Sequence, residues 1–500
     1  MTFLSHCNYK IIPFDSRSVA AFRIVLGVSI LYNLIFYRFP AVGVFYNNKT
    51  IFPESSIEKY YGNRFSLFQL FDTDLWYYFL FGVLFILSVS FIIGFKTKWV
   101  SIIMFFLFGS LISINPYLSH GVEYLIEVAL FWSIFLTLNQ SFCLLNFKIS
   151  SFNFGILPHV GFQIQIFLIY FSAWIFKNGE TWLNGQVLEV VSYDLIHAKP
   201  LLLSLRAAPE ILRFLTYFGF YSEFFLSVLL FISIFYSKTK LLAALSLIII
   251  HTLMALLLHV GTFFIVGLAF GMLLLPTSFW NIKLIKQFLG LKERNRNPVA
   301  LDSNLKNIHI AKKTAIIISI LYVTQSSIYQ WSKNSFLSPF ILSNPIHKYS
   351  TGIHFNEPGI FTGLWHQSWK FFSNNIYNDL GDFVFLGYDE HNNIYELRTG
   401  SKIEFIESSH SKSFQPLPKT SYFGAEFTFG VYYKFYFDRF PKKTQEFWLE
   451  FQLKKYQKKH IDIKIVKAEL WKLDRAYHII NNKITIKDSA YKMVTTKNIK

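Results

Sequence analysis

The sequence predicts an α-helical polytopic membrane bundle of about eight or nine transmembrane helices, followed by a C-terminal β-rich exterior domain. Two observations predict it. The chain has 500 residues, 53% hydrophobic and 19% aromatic, which is too apolar for one soluble globular body. Its apolar residues gather in runs of about 14 to 26, near the length that crosses a bilayer. From Trp331 onward they alternate instead, in short segments punctuated by Gly and Pro.

The runs, in order, are Ser18 to Phe39, Leu75 to Phe95, Val100 to Ile114, Val122 to Leu138, Phe162 to Phe176, Ile211 to Tyr236, Leu241 to Leu258, Thr262 to Leu275 and Thr314 to Tyr329. Basic residues fall in alternate loops: Lys10 and Arg17, Lys96 and Lys98, Lys148, Lys238 and Lys240, then the cluster from Lys283 to Lys313. Short basic loops stay in the cytoplasm, so the N-terminus is expected inside, and Lys177, His120 and His259 at the outer face. The expected domains are 1–330, transmembrane, and 331–500, exterior. In the second, Phe383 to Tyr388, Ile394 to Leu397, Phe427 to Phe437, Phe447 to Leu453 and Ile461 to Trp471 read as strands, with Asp389 to Asn393 as a turn.

The net charge of +18 lies in those loops and in the C-terminal third, which points to the lipid bilayer as nearest partner and not to nucleic acid. Cys7 and Cys143 both fall on the cytoplasmic side, where thiols stay reduced, so a disulfide framework is not expected. The first apolar run follows Arg17 directly and reads as an uncleaved anchor. No His/Cys set has zinc-like spacing, and neither a Gly-rich phosphate loop nor a hydrolase elbow occurs.

Polar residues inside apolar runs are the functional candidates. Glu123 and Glu127 stand one helical turn apart and either pair with a neighbouring base or line a polar chamber. Arg23 and Glu223 are charges at membrane depth, for which structural pairing is the simpler role. His251 lies mid-span, as a hydrogen-bonded core residue or as an acid/base group. The loop from Lys177 to Pro209 carries Glu180, Trp182, Glu189, Asp194, His197, Lys199 and Arg206, with a short amphipathic helix expected through Gln186 to Ile196. A loop of that length in a compact bundle usually caps something. The first exterior loop, Pro40 to Asp74, reads as an ordered aromatic segment lying on the membrane.

The stretch Tyr170 to Gly185 is the most informative. An apolar helix reaches Lys177 and breaks at Asn178 and Gly179, placing one ammonium where hydrocarbon meets water. Either that lysine snorkels to the head groups, or protein covers it and desolvation turns it into a base.

The pattern Tyr-Phe-x-Ala-x-x-x-Lys over Tyr170 to Lys177, followed by Trp182 and Gly185, resembles the stretch bearing the catalytic lysine of vitamin K-dependent gamma-glutamyl carboxylases. Those enzymes share a membrane region with the horizontally transferred transmembrane (HTTM) domain family. Arg23 to Gly27, Asn115 to Gly121, and His251 with Gly261-Thr-Phe263 fit the same family, and the similarity spans roughly Ser16 to Trp280.

The resemblance implies a lysine, here Lys177, that deprotonates a reduced naphthoquinone (reduced vitamin K or menaquinol). Reaction with oxygen then gives a base strong enough to take a γ-proton from a peptide glutamate, which captures carbon dioxide. On this resemblance Lys177, His251 and His120 are the candidate catalytic residues, and Trp174, Trp182 and Glu223 the candidate cofactor contacts; no metal is implied. Two departures stand out. The carboxylases place a His directly after the Asn matching Asn115, where this chain has Pro116, and their exterior domain is much longer. The function expected is thus a carboxylase-like lyase of the bacterial inner membrane acting on an exported peptide. The alternative is a non-carboxylating HTTM protein that serves the maturation, export or immunity of a secreted peptide.

Overall fold

The computed structural model describes residues 12–46, 65–115, 118–119, 121–143, 155–194, 196–288, 310–332, 382–408, 411–415, 442–480 and 483–499. Helices occupy each of the apolar runs: α1 Ser16–Asn33, α2 Asp74–Ile93, α3 Thr97–Ile114, α4 Gly121–Phe135, α5 Leu157–Ile175, α6 Pro209–Ile232, α7 Ser237–Leu257, α8 Phe263–Leu274 and α9 Ile310–Ser332. Among the described residues, five spans are long and apolar enough to cross a membrane: α1 with its continuation to Arg38, and α2, α3, α6 and α7. They make this a multi-pass membrane protein whose surroundings are lipid. The predicted eight or nine crossings exceed those five.

Helix ends follow local chemistry. Asp15 accepts from the Arg17 backbone N–H and caps α1, and Thr73 caps α2 in the same way. Gly94 ends α2 in the left-handed conformation, φ +84°, with its missing Cβ leaving room for Arg23. Pro158 and Pro209 sit in the first turns of α5 and α6, where a missing N–H costs nothing.

Arg23 is fully buried and donates to the carbonyls of Leu138, Phe142 and Ile92, which ties α1 to the last turn of α2 and to the segment after α4. It does not meet Glu223. α1 packs on α2 and α8, and α6 lies between α5 and α7, with α9 against the far side of α5. The outward faces of α2 and α6 expose Phe79, Ile86, Phe214 and Phe225, as lipid-facing surfaces do.

The C-terminal part holds a six-stranded antiparallel sheet, order β4-β3-β2-β1-β5-β6. The strands are β1 Asp382–Asp389, β2 Ile394–Glu396, β3 Lys402–Ser408, β4 Ser411–Gln415, β5 Ile465–Ile480 and β6 Lys483–Asn498. The predicted turn at Asp389 to Asn393 is present, closed by the Asp389 carboxylate accepting from the His391 and Asn393 backbones. One strand prediction fails. Phe447 to Leu453 lies inside helix α10, Lys442–Lys459, whose Trp448, Leu449, Leu453 and Tyr456 are buried at helical spacing, with Trp448 edge-on to Phe385 at 4.5 Å. The predicted strand at Phe427 to Phe437, and the residues Pro116, His120, Cys7 and Lys148, lie outside the described residues.

Candidate functional site

The end of α5 builds the site. Its final turns carry Tyr170, Trp174 and Lys177 at intervals of about one turn, so all three lie on one side of the helix. The chain then turns at Asn178-Gly179, makes a helical turn over Glu180–Leu183, and reaches Gly185 at φ +70°. A Cβ at Gly185 would meet the Tyr217 ring at 2.7 Å and the Arg213 side chain at 2.8 Å, both on α6. Glycine is therefore required there by conformation and by space, and it lets the loop fold back over α6.

Lys177 is 3% exposed, so its ammonium does not snorkel. It donates to Glu223 Oε2 at 2.5 Å and to the Ala173 carbonyl at 3.2 Å, and the face of Trp182 lies 5.2 Å away. Glu223 on α6 keeps 15% of its side chain open. Trp174 packs on Phe224 at 4.6 Å and on Phe220 at 6.2 Å, walling the pair on one side.

One helical layer away, the Tyr170 hydroxyl and His251 Nε2 share a hydrogen bond of 2.5 Å. The His251 ring lies on Gly267, where any Cβ would fall within 2.3 Å of it, and against Phe263. Trp174 Nε1, Thr181 Oγ1 and His251 Nδ1 are buried and make no hydrogen bond within the protein.

A cavity of about 110 Å³ opens beside the ion pair, lined by Lys177, Glu223, Trp182, Val187, Thr216 and Gly219 among others. Its walls are mostly apolar, with Thr216 and Ser222 the polar residues beside the pair. The lid is the loop after Lys177, which forms the helical turns Glu180–Leu183, Val187–Val191 and Pro200–Ser204; of the amphipathic helix expected through Gln186 to Ile196, Val187–Val191 is helical. Trp182, Val187, Val190, Leu202 and Leu212 form a separate small core beneath it.

An antiparallel bridge between Ala198 and Leu258 ties the lid to the end of α7, with the Lys199 N–H donating to the Leu257 carbonyl at 3.0 Å and the His259 N–H to the His197 carbonyl at 2.8 Å, and the Lys199 ammonium donates to the Ala255 carbonyl. In the lid, burial pushes the Glu189 carboxyl up, opposed by Arg213 and aided by Glu210. At the tie, burial draws the His259 imidazole down, helped by the nearby Lys199 and His197 charges.

A second buried polar group stands at the end of α1, where the backbone widens into a π-helical turn, Leu34–Arg38. Arg38 donates to Asn33 Oδ1 at 3.2 Å and Tyr46 hydroxyl at 2.7 Å, and pairs with Glu123 at 3.0 Å; Asn33 also donates to Glu123. Of the two readings of Glu123, pairing with a base is the one the geometry favours. Arg38 was not singled out in the sequence because it lies at the end of an apolar run, where a basic residue looks like an interface anchor. A π-turn has no sequence signature that would have marked it.

The matched family model is the HTTM domain, over residues 11–280, more than half the chain and including every residue of both polar clusters. The chain belongs to the HTTM domain family. Similarity to gamma-glutamyl carboxylases is a general property of that family, so this HTTM protein is related to them through its membrane domain. No curated protein and no solved structure matches it.

Proposed function

We propose that this HTTM protein is a carboxylase-like membrane enzyme in which Lys177 and Glu223 act together as the base that takes a proton from a reduced naphthoquinone. The observation that carries the reading is a lysine ammonium removed from solvent and paired at 2.5 Å with a carboxylate, at the wall of an apolar cavity. As a unit the pair holds one shared proton and zero net charge, which keeps its burial tolerable. Accepting one more proton makes it +1 beside the anion it has just created, and the apolar walls leave that attraction unscreened.

The residues present suit such a ligand: mostly aliphatic walls, the rings of Trp182 and Phe218, and a polar corner at the ion pair. Trp182 would lie against the ring and Glu223 would meet its oxygen, whereas Trp174, packed on Phe220 and Phe224, stands outside the cavity lining. The bound quinol, with oxygen, supplies the strong base that lets a peptide glutamate capture carbon dioxide. His251, held by Tyr170 and Gly267, is the acid/base group nearest to the pair through Tyr170.

The same reading takes all nine helices across an inner membrane with the N-terminus inside, and residues 331–500 as a β-rich domain outside. The alternation of basic loops supports it. Purified protein given menaquinol, oxygen, bicarbonate and Glu-containing peptides should yield a product heavier by one carbon dioxide, and Lys177→Met should yield none. If neither quinol nor peptide turns over, and Lys177→Met keeps the wild-type cellular phenotype, the non-carboxylating role in peptide maturation, export or immunity takes its place.

A further inference from the structure

α9, Ile310–Ser332, lies beyond residue 280, where the family match ends, and packs along α5. Ile316, Ile320, Val323, Ser327 and Gln330 recur at alternate intervals of four and three and are buried or half-buried. That is the spacing of one helix laid along another. The other side of α9 exposes Ile317, Ile318 and Leu321, as a lipid-facing surface does.

The contact has a fixed register. A Cβ at Gly161, near the start of α5, would fall 3.0 Å from Ile320 and 2.4 Å from Trp132 of α4, so glycine lets α5 pass between them. Eleven residues further along both helices, the Trp331 indole N–H donates to Ser172 Oγ at 2.8 Å. Equal advances make the two helices parallel, so α9 ends beside the end of α5 that carries Lys177. The Trp331 ring also stands edge-on to Phe171 at 5.0 Å.

Those contacts fall where the site is built. Ser172 is fully buried and directly precedes Ala173, whose carbonyl accepts from the Lys177 ammonium. Phe171 packs on Trp174 at 5.9 Å, and Trp174 reaches Phe224 on α6. The last turns of α5 are thus gripped from two sides, by α6 through Lys177 and Trp174 and by α9 through Ser172 and Phe171.

Satisfying a serine does not require that grip. Ser88, Ser101, Ser113, Ser133 and Ser327, buried in apolar helices of this chain, each donate to the carbonyl four residues back. A tryptophan at the end of a span ordinarily finds head groups or water for its N–H. What the bond between Trp331 and Ser172 adds is direction, because it fixes the rotation of α5 about its own axis. The contact between Lys177 and Glu223 is 2.5 Å. Hydrogen bonds of this kind end near 3.2 Å, so a displacement of about 0.7 Å breaks it, and a misplacement of about 1 Å can cost a hundredfold in rate.

We infer that Trp331 is a positioning residue: by holding Ser172 it sets the rotation of the last turns of α5 and keeps the Lys177 ammonium on Glu223. What the pair then does rests on the proposed function; its positioning does not.

The test uses the full chain in nanodiscs and reads the pair without turnover, as the rate at which dicyclohexylcarbodiimide modifies Glu223. Trp331→Phe keeps a ring against Phe171 and removes the donor. The carboxylate, held less closely, should then react about two- to tenfold faster, the weight of one net hydrogen bond. Ser172→Ala leaves the indole whole and tests the same bond should Trp331→Phe fail to fold. It should act alike, and the double variant should go no further than either single change. Trp280→Phe is the control, since it removes a buried indole donor to Ser18 at 2.7 Å, at the far end of α8 from the lid. It should leave the Glu223 rate unchanged. In menaquinol turnover Trp331→Phe should lower kcat and leave KM within about twofold, because neither partner of the bond lines the cavity.

An unchanged Glu223 rate in folded Trp331→Phe and Ser172→Ala, equal acceleration by Trp280→Phe, or additive effects in the double variant would each overturn the positioning role. Accelerated modification in a protein whose wild type turns over no quinol would keep that role and overturn the carboxylase reading. Wild-type turnover with an unchanged Glu223 rate in the variants would do the reverse.

Discussion

A double-mutant cycle on Lys177 and Glu223 separates a structural pair from a catalytic one. Their side chains are 3% and 15% exposed and 2.5 Å apart, so removing one leaves the other's charge buried without its partner. Such a loss costs about 3–5 kcal/mol, whereas replacing both partners by neutral groups of similar size is often neutral or stabilising. Lys177→Met and Glu223→Gln should therefore each destabilise the membrane domain by about 3–5 kcal/mol, and the double variant should recover to within about 1 kcal/mol of wild type. Equilibrium unfolding in mixed micelles reads the stability, and quinol-dependent turnover reads the chemistry on the same preparations. The double variant should be stable and inactive. Additive destabilisation would refute the pairing energetics, and a stable, active double variant would refute the catalytic role.

Three further outcomes follow from the geometry. Gly185→Ala forces a side chain into φ +70° against Tyr217, so it should destabilise by about 1–2 kcal/mol for the backbone and about 1–3 kcal/mol for the overlap, and proteolysis should cut the loop after Lys177 sooner. Glu123→Ala strands the Arg38 guanidinium, 2% exposed, and should cost about 3–5 kcal/mol, read by thermal unfolding, with Glu123→Ala/Arg38→Met recovering most of it. His259 has its folded pKa below the ordinary 6.5, so the unfolded chain binds its proton more readily and stability should fall as pH drops through about 6.5. His259→Gln should flatten that slope in melting curves between about pH 5 and 8, with Lys199, His197 and Asp194 left in place.

What the sequence made legible and what it hid differ for physical reasons. Helices appeared where predicted because membrane spans need long unbroken apolar runs, a signal that tertiary context cannot override. Phe447 to Leu453 was misread because Phe447, Leu449, Phe451 and Leu453 alternate as a strand would. The buried face is instead Trp448, Leu449, Leu453 and Tyr456, in a segment rich in Lys, Gln and Glu that favours helix. Lys177, Glu223 and His251 were legible one at a time, as polar residues that apolar helices do not carry by default. Their partners were not, since Lys177 to Glu223 and Tyr170 to His251 join helices whose rotation about their axes no local pattern fixes. Tyr170 was visible only as the first residue of the Tyr170 to Lys177 pattern and not as the partner of His251, because an aromatic residue in a hydrophobic run is ordinary until its neighbours are known.

The two partners in the pair are not equally placed to meet a ligand. Lys177 is enclosed by Ala173, Trp182 and Glu223, whereas Glu223 keeps 15% of its side chain open. Under the proposed function a proton leaving the ligand would meet Glu223 first, and Lys177 would serve by balancing the charge of the carboxylate at 2.5 Å. Carbodiimides attack exposed carboxylates, and lipid-soluble ones reach those inside membranes, so dicyclohexylcarbodiimide should modify Glu223 while a water-soluble carbodiimide leaves it untouched. Menaquinol should slow that modification by covering the carboxylate. Peptide mass mapping gives the answer directly. Modification by the water-soluble reagent alone would mean that water, not lipid, fills the space beside the pair, and the dry base would lose its physical ground.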